Sequence, residues 1–556
     1  MVEAGAPLPA FRLDNSDAAS RLRLHARHEA GTTLRAHFAK DARRFTHFSC
    51  KADGFLLDYA KERLSATALA DLLALADEAR LADGIAAMLS GQPVNFTEGR
   101  AALHTAARLF DRSPFSARTD SAATLARMRA FAARLHDGHV RGSTGRPFRH
   151  VIHLGIGGSD LGPQLLAEAF ASTQSQRLTL SFAANIDETE LQAILRLADP
   201  AECLFIVASK SFSTSETLSN ARLARMWLGA ALGDAADLSR HFVAISQNVA
   251  AANAFGVSAD AIFPLPEWIG GRFSVWSAIG LPVMLAFGPD AFDAFLAGGR
   301  RMDAHFADAP PAANLPVLMA LLGIWNTTFL GADSLAILPY SHRLRSLPAY
   351  LQQLEMESNG KSVDREGRPV TWSTAPIVFG GAGTVGQHAY HQLFYQGTRK
   401  LALEFIVPVP RNPSAATRCL LGNALAQSAA LMQGHDLHSA EAELRALGVD
   451  ETQVARLAPH RVCAGNQPSS TLLMPEVTPF SLGQLLALYE HKVFVQGWIW
   501  GINSFDQYGV MLGKAMAQRI DATAGIAHDD STRGLLAAIE AMTADDACGQ
   551  APARPT

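Results

Sequence analysis

The feature of this sequence that most restricts its fold is a repeated succession of short apolar runs, turns rich in glycine or serine, and helical patterns. Residues 151–154 (VIHL) lead into Gly155, and residues 203–208 (CLFIVA) lead into Ser209. Short apolar runs of this kind, each followed by a helical pattern, are typical of parallel strands that are buried on both faces of a sheet. The sequence therefore predicts parallel sheets that are covered by helices.

The same succession occurs in two separate parts of the chain. A largely helical stretch at about 278–330 divides them, and candidate strands return at 335–338, 376–379 and 405–407. We therefore predict an α/β protein with two doubly wound parallel-sheet units and with helical extensions at both ends. The predicted boundaries are 1–118 for a helical N-terminal region packing on the second unit, 119–285 for the first unit, 286–512 for the second unit, and 513–556 for a C-terminal helical arm with a disordered tail.

The composition of this 556-residue chain excludes several classes of partner. Lys and Arg number 48 against 52 Asp and Glu, and no basic tract stands out, so neither nucleic acid nor a membrane surface is an expected partner. The longest apolar stretch, 315–325, is shorter than the ~20 residues that a membrane-spanning helix needs. Five widely spaced cysteines without a CxxC pair indicate free thiols, and the N-terminus lacks a signal-peptide pattern. We therefore expect a cytoplasmic protein.

The first candidate ligand loop is the glycine-rich segment 155–162 (GIGGSDLG), between a predicted strand and a predicted helix. Glycines such as Gly158 let the backbone approach a ligand, and a helix N-terminus beside Ser159 attracts anions. The segment is not a dinucleotide fingerprint, because Asp160 stands where the third glycine belongs, and not a P-loop, because Pro163 stands where the lysine belongs. A phosphate-binding loop and a simple tight turn remain the two interpretations.

The second candidate loop is 209–217 (SKSFSTSET), which combines six hydroxyl groups with the ammonium of Lys210. Hydroxyls, backbone N–H groups at a helix start and one cation suit a phosphate monoester. The alternative is a helix N-cap with solvated neighbours. Because both loops follow predicted parallel strands, we expect them at the edge of a sheet where such proteins bind ligands.

A candidate general base lies in segment 353–361 (QLEMESNGK), which closes a helical pattern with Gly360 as a plausible end. Gln353 and Glu357 are four residues apart and therefore share a helical face. A carboxylate near the negative end of a helix is suited to accept a proton. An exposed surface glutamate is the alternative interpretation.

Two further motifs suggest cofactors, but each lacks a necessary element. Segment 381–386 (GAGTVG) matches the GxGxxG of nicotinamide sites, with Glu404 18 residues beyond it. However, Glu404 precedes the predicted strand 405–407, whereas a ribose-binding acid belongs at the end of its strand. His388 and His391 are spaced like metal ligands on one helical turn, but no third ligand accompanies them. We therefore predict neither a nucleotide cofactor nor a metal.

Taken in order along the chain, five segments resemble the phosphoglucose isomerase family. They are 94–104 (VNFTEGRAALH), 270–282 (GGRFSVWSAIGLP), 356–361 (MESNGK), 386–389 (GQHA) and 501–514 (GINSFDQYGVMLGK). The likeness runs from about residue 40 to 540. It implies that both α/β units are of the sugar-isomerase type. It also implies reversible isomerisation of glucose 6-phosphate to fructose 6-phosphate through an enediol, as in glycolysis and gluconeogenesis.

The resemblance also assigns roles to site residues. Glu357 would move the proton between C2 and C1, and Arg272 would stabilise the charge of the enediolate. His388 would serve as acid/base in ring opening, with Lys514 as its partner. The substrate contacts that the resemblance implies are Gly158, Ser159, Ser209, Lys210, Ser211, Thr214, Gln353 and Gln507. It further implies a homodimer in which His388 of each chain completes the site of the other, and no cofactor.

The chain departs from the family pattern in two places. Ser211 and Ser213 stand where the family usually has threonine, which retains the hydroxyl groups. Gly381, Ala382 and Val385 replace Glu, Pro and Asn just upstream of the histidine expected to open the ring. These substitutions affect the position that the resemblance implies for His388.

Two other functions remain to be weighed. One is a non-catalytic sugar-phosphate-binding regulator of the same fold, which would keep the hydroxyl-rich loops and lose the base. The other is a nicotinamide dehydrogenase that uses the GxGxxG segment. The joint presence of a base, a cation and an acid/base pair favours the isomerase.

Overall fold

The computed structural model describes residues 11–171, 174–521 and 528–549. These residues form two compact units, a first that ends at Asp506 and a second that begins at Gln507. Within the ranges given, no helix combines the length and the apolar character that crossing a bilayer requires.

The elements are named here in chain order. The strands are β1 (Ser49–Ala52), β2 (Phe55–Asp58), β3 (His150–Leu154), β4 (Thr179–Ala183), β5 (Cys203–Ala208), β6 (Phe242–Ile245), β7 (Ile262–Phe263), β8 (Ser334–Pro339), β9 (Ile377–Gly380), β10 (Leu401–Val409) and β11 (Ser470–Pro475). The helices are α1 (Asp17–Glu29), α2 (Leu34–Lys40), α3 (Arg44–His47), α4 (Ala66–Glu78), α5 (Leu81–Ser90), α6 (His104–Ala107), α7 (Phe115–His136), α8 (Leu161–Phe170), α9 (Glu188–Leu195), α10 (Ser215–Leu232), α11 (Val249–Phe255), α12 (Leu281–Phe287), α13 (Pro289–Asp308), α14 (Leu315–Ile324), α15 (Leu347–Leu351), α16 (Gly383–Gln387), α17 (His391–Gln396), α18 (Ala415–Gln433), α19 (Leu437–Ala446), α20 (Glu451–Leu457), α21 (Pro479–Trp500), α22 (Gly509–Asp521) and α23 (Asp530–Gly549).

The first sheet has five strands in the order β4–β3–β5–β6–β7, and every neighbouring pair is parallel. All six residues of the central strand β5 are buried, which accounts for its continuous apolar run. The loops that follow β3 and β5 leave the sheet at the same edge, because the two strands are parallel neighbours. This edge carries both candidate ligand loops.

The second sheet has six strands in the order β1–β2–β11–β10–β8–β9. Strands β11, β10, β8 and β9 are parallel, whereas β1 and β2 form a hairpin whose second strand pairs antiparallel with β11. The sequence predicts a helical region at 1–118, but this region also contains the β1–β2 hairpin. The hairpin turns at Asp53 and Gly54, both at positive φ, and its short strand β2 alternates buried and half-buried residues.

The α/β class with two parallel-sheet units is confirmed. Strands β3–β7 fall within the range predicted for the first unit and β8–β11 within the range predicted for the second, while the exact boundaries stay a prediction. The end of the predicted C-terminal arm was expected to be disordered; α23 continues to Gly549, and 550–556 lie outside the described residues.

Helix α21 lies in the compact unit that ends at Asp506, and its residues are buried along almost the whole length. It crosses α13 closely, because glycines of both helices face the partner backbone. A Cβ at Gly298 would overlap the carbonyl of Phe480, and one at Gly483 would overlap the carbonyl of Phe295. Only glycine allows this separation of the two helices.

The many polar residues of α21 make buried pairs with distant parts of the chain. Arg108 binds both carboxylate oxygens of Asp303 at 2.9 and 2.5 Å and also contacts Glu490. His491 pairs with Asp303 at 2.7 Å, and the indole of Trp276 donates to Glu490 at 2.7 Å. Buried charges are costly unless they are paired in this way.

Candidate active site

The loop after β3 packs on the segment that carries Arg272. It forms one 3-10 turn, Gly157–Ser159, before α8 begins. Gly158 lies against the backbone of Gly271 and Arg272, where a Cβ would overlap the carbonyl group of Gly271. The carbonyl oxygen of Ser159 accepts a hydrogen bond from His153 Nε2 at 2.7 Å. The glycine at 158 is therefore needed for a close approach between two site segments.

Asp160 follows this loop and was not predicted to belong to the site. It is buried, and its Oδ1 has no hydrogen-bond partner in the described part of the chain. Burial raises the pKa of Asp160 to about 7, with a further contribution from Glu190. A protonated carboxyl can donate a hydrogen bond beside an anion, whereas an ionised one would repel it.

The loop after β5 gathers the predicted hydroxyl groups. Ser209 Oγ and Thr214 Oγ1 are 3.0 Å apart, and Ser211 Oγ and Ser213 Oγ are 2.6 Å apart. The side chain of Thr214 makes no capping hydrogen bond to α10. The structure therefore does not support the N-cap interpretation of this loop. The start of an 18-residue helix thus faces a cluster of hydroxyls.

Lys210 ties this loop to the segment that leads to Arg272. Its ammonium donates to the carbonyl oxygens of Glu267 at 3.0 Å and Ile269 at 2.9 Å. Burial lowers the pKa of Lys210, and Arg100 lowers it further. Both predicted loops are therefore linked to one short stretch of chain just before Arg272.

Arg272 is the buried cation of the site. Its Nε donates to Ser358 Oγ at 2.6 Å, and its Nη2 donates to the carbonyl oxygens of Ser504 and Asp506 at 2.6 and 3.1 Å. Its Nη1 lies 3.4 Å from Glu357 Oε2. Burial lowers the pKa of Arg272, whereas the carboxylates of Glu357 and Asp506 raise it. A guanidinium held in this way remains charged without contact with bulk water.

Glu357 ends a helix of unusual geometry. Helix α15 continues into a π-helical turn, Gln352–Glu357, a rare conformation that is frequent at functional sites. The side chain of Glu357 is 24% exposed, so it is open to a ligand while it contacts Arg272. Gln353, one turn earlier, lies beside Gly157 of the first loop. The predicted residues Gly158, Arg272, Gln353 and Glu357 are thus brought together.

Lys361 fixes the end of this helix, a role that was not predicted. Its ammonium donates to the carbonyl oxygens of Glu357 and Ser358 at 3.1 and 2.8 Å and to that of Asn503 at 2.9 Å. It also pairs with Asp506 at 3.2 Å. A lysine just beyond the last turn of a helix is a recognisable sequence signal for this contact.

The family segments 94–104 and 501–514 meet at one hydrogen-bond cluster. Asn503 Nδ2 donates to Asn95 Oδ1 at 2.9 Å and to Asp506 Oδ2 at 2.9 Å. Thr97 Oγ1 donates to the same Asp506 oxygen at 2.6 Å. This cluster orients the backbone carbonyl that Arg272 binds. It therefore explains why segments far apart in sequence belong to one site.

His388 and His391 have different surroundings. His388 follows α16 and is exposed, and its side chain makes no hydrogen bond or ion pair within 11–171, 174–521 and 528–549. His391 is buried, and its Nδ1 lies 3.2 Å from Gln427 Oε1. Among the same residues, no group of three or more His, Cys, Asp or Glu could hold a metal ion.

The GxGxxG segment is used for packing against tyrosines. A Cβ at Gly383 would meet the ring of Tyr340, and one at Gly386 would meet the hydroxyl of Tyr390. Glu404 lies within β10, and its Oε2 accepts a hydrogen bond from Tyr489 at 2.9 Å. A buried carboxylate in mid-strand cannot bind a ribose in the manner of a dinucleotide site.

Two of the predicted site residues belong to the second unit. Gln507 is its first residue, and Lys514 lies on α22.

A five-stranded parallel sheet and a second sheet with four parallel strands define an α/β protein of the sugar-isomerase class. A solved glucose-6-phosphate isomerase from Chlamydia trachomatis superimposes with a TM-score of 0.83 and is 32% identical, covering 96% of this chain and 100% of that one. This likeness covers both sheets.

The sequence comparisons are more specific. The family model described as Phosphoglucose isomerase matches residues 58–536. Glucose-6-phosphate isomerases from Aromatoleum aromaticum and Ectopseudomonas mendocina are 57% and 48% identical over 94% and 93% of this chain and over 96% and 95% of their own length. The chain therefore belongs to the phosphoglucose isomerase family. The predicted resemblance and the predicted class of enzyme are confirmed.

The contact at Gly158 gives a first prediction. Gly158→Ala should displace the segment of Arg272 and lower kcat/KM by a factor on the order of 10², because small displacements of catalytic groups have effects of this size. Gly422→Ala in α18 is the matched control, since a Cβ there meets open space and alanine favours a helix. Steady-state kinetics of the two variants test this. Activity of Gly158→Ala within about threefold of wild type would contradict the need for close approach.

Proposed function

We propose that this protein interconverts glucose 6-phosphate and fructose 6-phosphate. The observation that carries the proposal is the contact of Glu357 Oε2 with Arg272 Nη1 at 3.4 Å, beside the two loops that follow parallel strands. Membership of the phosphoglucose isomerase family and the names of the relatives support the same activity. They do not favour a non-catalytic regulator.

The proposed reaction moves one proton between neighbouring carbons. Glu357 removes the proton from C2, the electrons of the C2–H bond form the C1–C2 double bond, and the oxygen at C1 takes up negative charge. Arg272 lies next to Glu357 and stabilises this enediolate, because a fixed cation away from water acts strongly on developing charge. The hydroxyl proton at C2 passes to the oxygen at C1, and return of the carbon-bound proton from Glu357 to C1 leaves the carbonyl at C2. No redox cofactor takes part, since hydrogen moves within one molecule.

The phosphate is proposed to bind at the two loops. Ser209, Ser211 and Thr214 supply hydroxyl groups at the start of α10, and Lys210 supplies a nearby positive charge. Further polar contacts are proposed from Ser159 and Gln353. Phosphate monoesters suit such a site because helix N-termini and hydroxyls both donate hydrogen bonds to anions.

Ring opening is assigned to His388, and a homodimer is proposed in which the partner's His388 completes each site. Two observations support the dimer. His388 is exposed and its side chain makes no hydrogen bond or ion pair within 11–171, 174–521 and 528–549, and apolar side chains of the preceding elements β9 and α16 are exposed as well, Ile377 at 63% and Val385 at 69%. Exposed apolar groups at a sheet edge favour a protein partner. We place the enzyme in the cytoplasm.

The role of Glu357 gives the second prediction. Glu357→Gln keeps the size of the side chain and removes its basicity, so turnover should fall by roughly 10² to 10⁴ while affinity for the substrate stays within about tenfold. Formation of fructose 6-phosphate, followed by NMR without added nucleotide, measures this. Glu188→Gln, on the exposed face of α9, is the control and should be fully active. Turnover of Glu357→Gln near wild type would remove Glu357 from the role of base.

The shared site gives the third prediction. If Glu357 and His388 act in one site from different chains, a mixed dimer of Glu357→Gln and His388→Ala has one site with both defects and one intact site. Unfolding and refolding the two inactive variants together should restore roughly a quarter of wild-type activity, because about half of the dimers are mixed. No recovery in confirmed mixed dimers would exclude the exchange and leave the isomerase proposal in place.

A further inference from the structure

A group of buried charges lies behind the π-helical turn and takes no part in the proposed reaction. Lys492 on α21 is completely buried. Its ammonium lies 3.3 Å from Glu355 Oε2 and 3.1 Å from Glu404 Oε1. Tyr489 donates to the second oxygen of Glu404 at 2.9 Å. One lysine therefore connects α21, β10 and the turn that carries Glu357.

Such a group is unfavourable to bury for stability alone. Each ion loses its hydration in a protein interior, and proteins with apolar residues of similar size in place of such ions are often at least as stable. Burial raises the pKa of Glu355, and the ammonium of Lys492 opposes this shift. The placement of these charges therefore points to a function in fixing geometry.

The turn needs support from outside, because its own helical geometry is rare. The π-helical segment Gln352–Glu357 is fixed at its end by Lys361, which binds the carbonyl of Glu357, and by Arg272, which binds Ser358. In the middle of the turn, the carboxylate of Glu355 is held by Lys492. Because Glu355 is buried and Glu357 is partly open, the two side chains point to opposite sides of the turn.

We propose that Glu355, anchored by Lys492, is a positioning residue for the isomerisation. It holds the π-helical turn so that Glu357 lies at the reacting carbons. The inference rests on the proposed function, in which Glu357 is the base. The loops that hold phosphate follow β3 and β5, whereas Glu355 contacts α21, so loss of the anchor should affect turnover and leave substrate binding nearly unchanged.

The test replaces the carboxylate with an unbranched apolar side chain. Glu355→Met leaves Lys492 paired one to one with Glu404, so the interior keeps no unpaired charge. We expect kcat to fall roughly tenfold or more, with KM within about threefold of wild type. Glu355→Gln keeps an acceptor of the same length and should restore kcat to within about threefold of wild type. If Glu355→Met does not fold, Glu355→Leu takes its place.

Glu62→Met is the matched control. Glu62 is also buried, and its side chain accepts a hydrogen bond from Asn326 at 3.1 Å and makes none with the described residues of the π-helical turn. This variant should lower the Tm and keep the kcat of wild type. Equal losses of kcat in Glu355→Met, Glu355→Gln and Glu62→Met would overturn the inference, as would wild-type kcat in folded Glu355→Met.

Amide hydrogen exchange supplies a readout that does not depend on activity. Peptides covering 347–361 should exchange faster in Glu355→Met than in wild type or Glu62→Met, because the turn loses its anchor. Unchanged exchange would contradict the positioning role even if the kinetics changed. If the wild type is inactive as an isomerase, the proposed function is wrong. Faster exchange in Glu355→Met would in that case still support the contact with Lys492 as the anchor of the turn.

Discussion

The guanidinium of Arg272 is the group on which the rest of the site depends. It is nearly inaccessible to water, so each of its donors must find an acceptor within the protein. The acceptors come from the end of the π-helical turn and from the chain just after α21, namely Ser358, Ser504 and Asp506. Charge burial thus determines which segments converge, and the convergence leaves Glu357 beside a fixed cation.

The surrounding fold keeps this cation in place at several levels. Gly158 lets the first ligand loop lie against the backbone of Arg272, and Lys210 ties the second loop to the same segment. The contact of Asn503 with Asn95 and Asp506 orients a carbonyl that Arg272 binds. Chemistry that moves a proton within one molecule requires little more than such preorganisation, because hydrogen bonds and charges set in advance need no rearrangement during the reaction.

Local patterns predicted much of this arrangement, and long-range pairing decided the rest. The apolar runs before Gly155 and Ser209 correctly predicted β3 and β5, because strands buried on both faces must be apolar throughout. The hairpin of β1 and β2 was missed, although its Asp53–Gly54 turn is a recognised hairpin signal. Its strands are only four residues long, which gives little alternation to detect.

Other features have no local signal at all. Polar residues of α21 have their partners Arg108 and Asp303 about two to four hundred residues away in the sequence. The π-helical turn at Gln352–Glu357 is likewise contacted by the distant Lys492, and the distant Arg272 binds Ser358, which follows the turn. The family resemblance supplied the roles of Arg272 and His388, which spacing alone did not indicate.

The most direct test of this account compares two ligands on Arg272→Gln by calorimetry. A hydroxamate of a five-carbon sugar-acid phosphate carries negative charge where the enediolate would, whereas sorbitol 6-phosphate is neutral there. If Arg272 stabilises the enediolate, affinity for the hydroxamate should fall by the same factor as kcat/KM, on the order of 10² to 10³, and affinity for sorbitol 6-phosphate should change by less than about threefold. Equal losses for both ligands would show that Arg272 only holds the fold or the substrate, and would contradict the account.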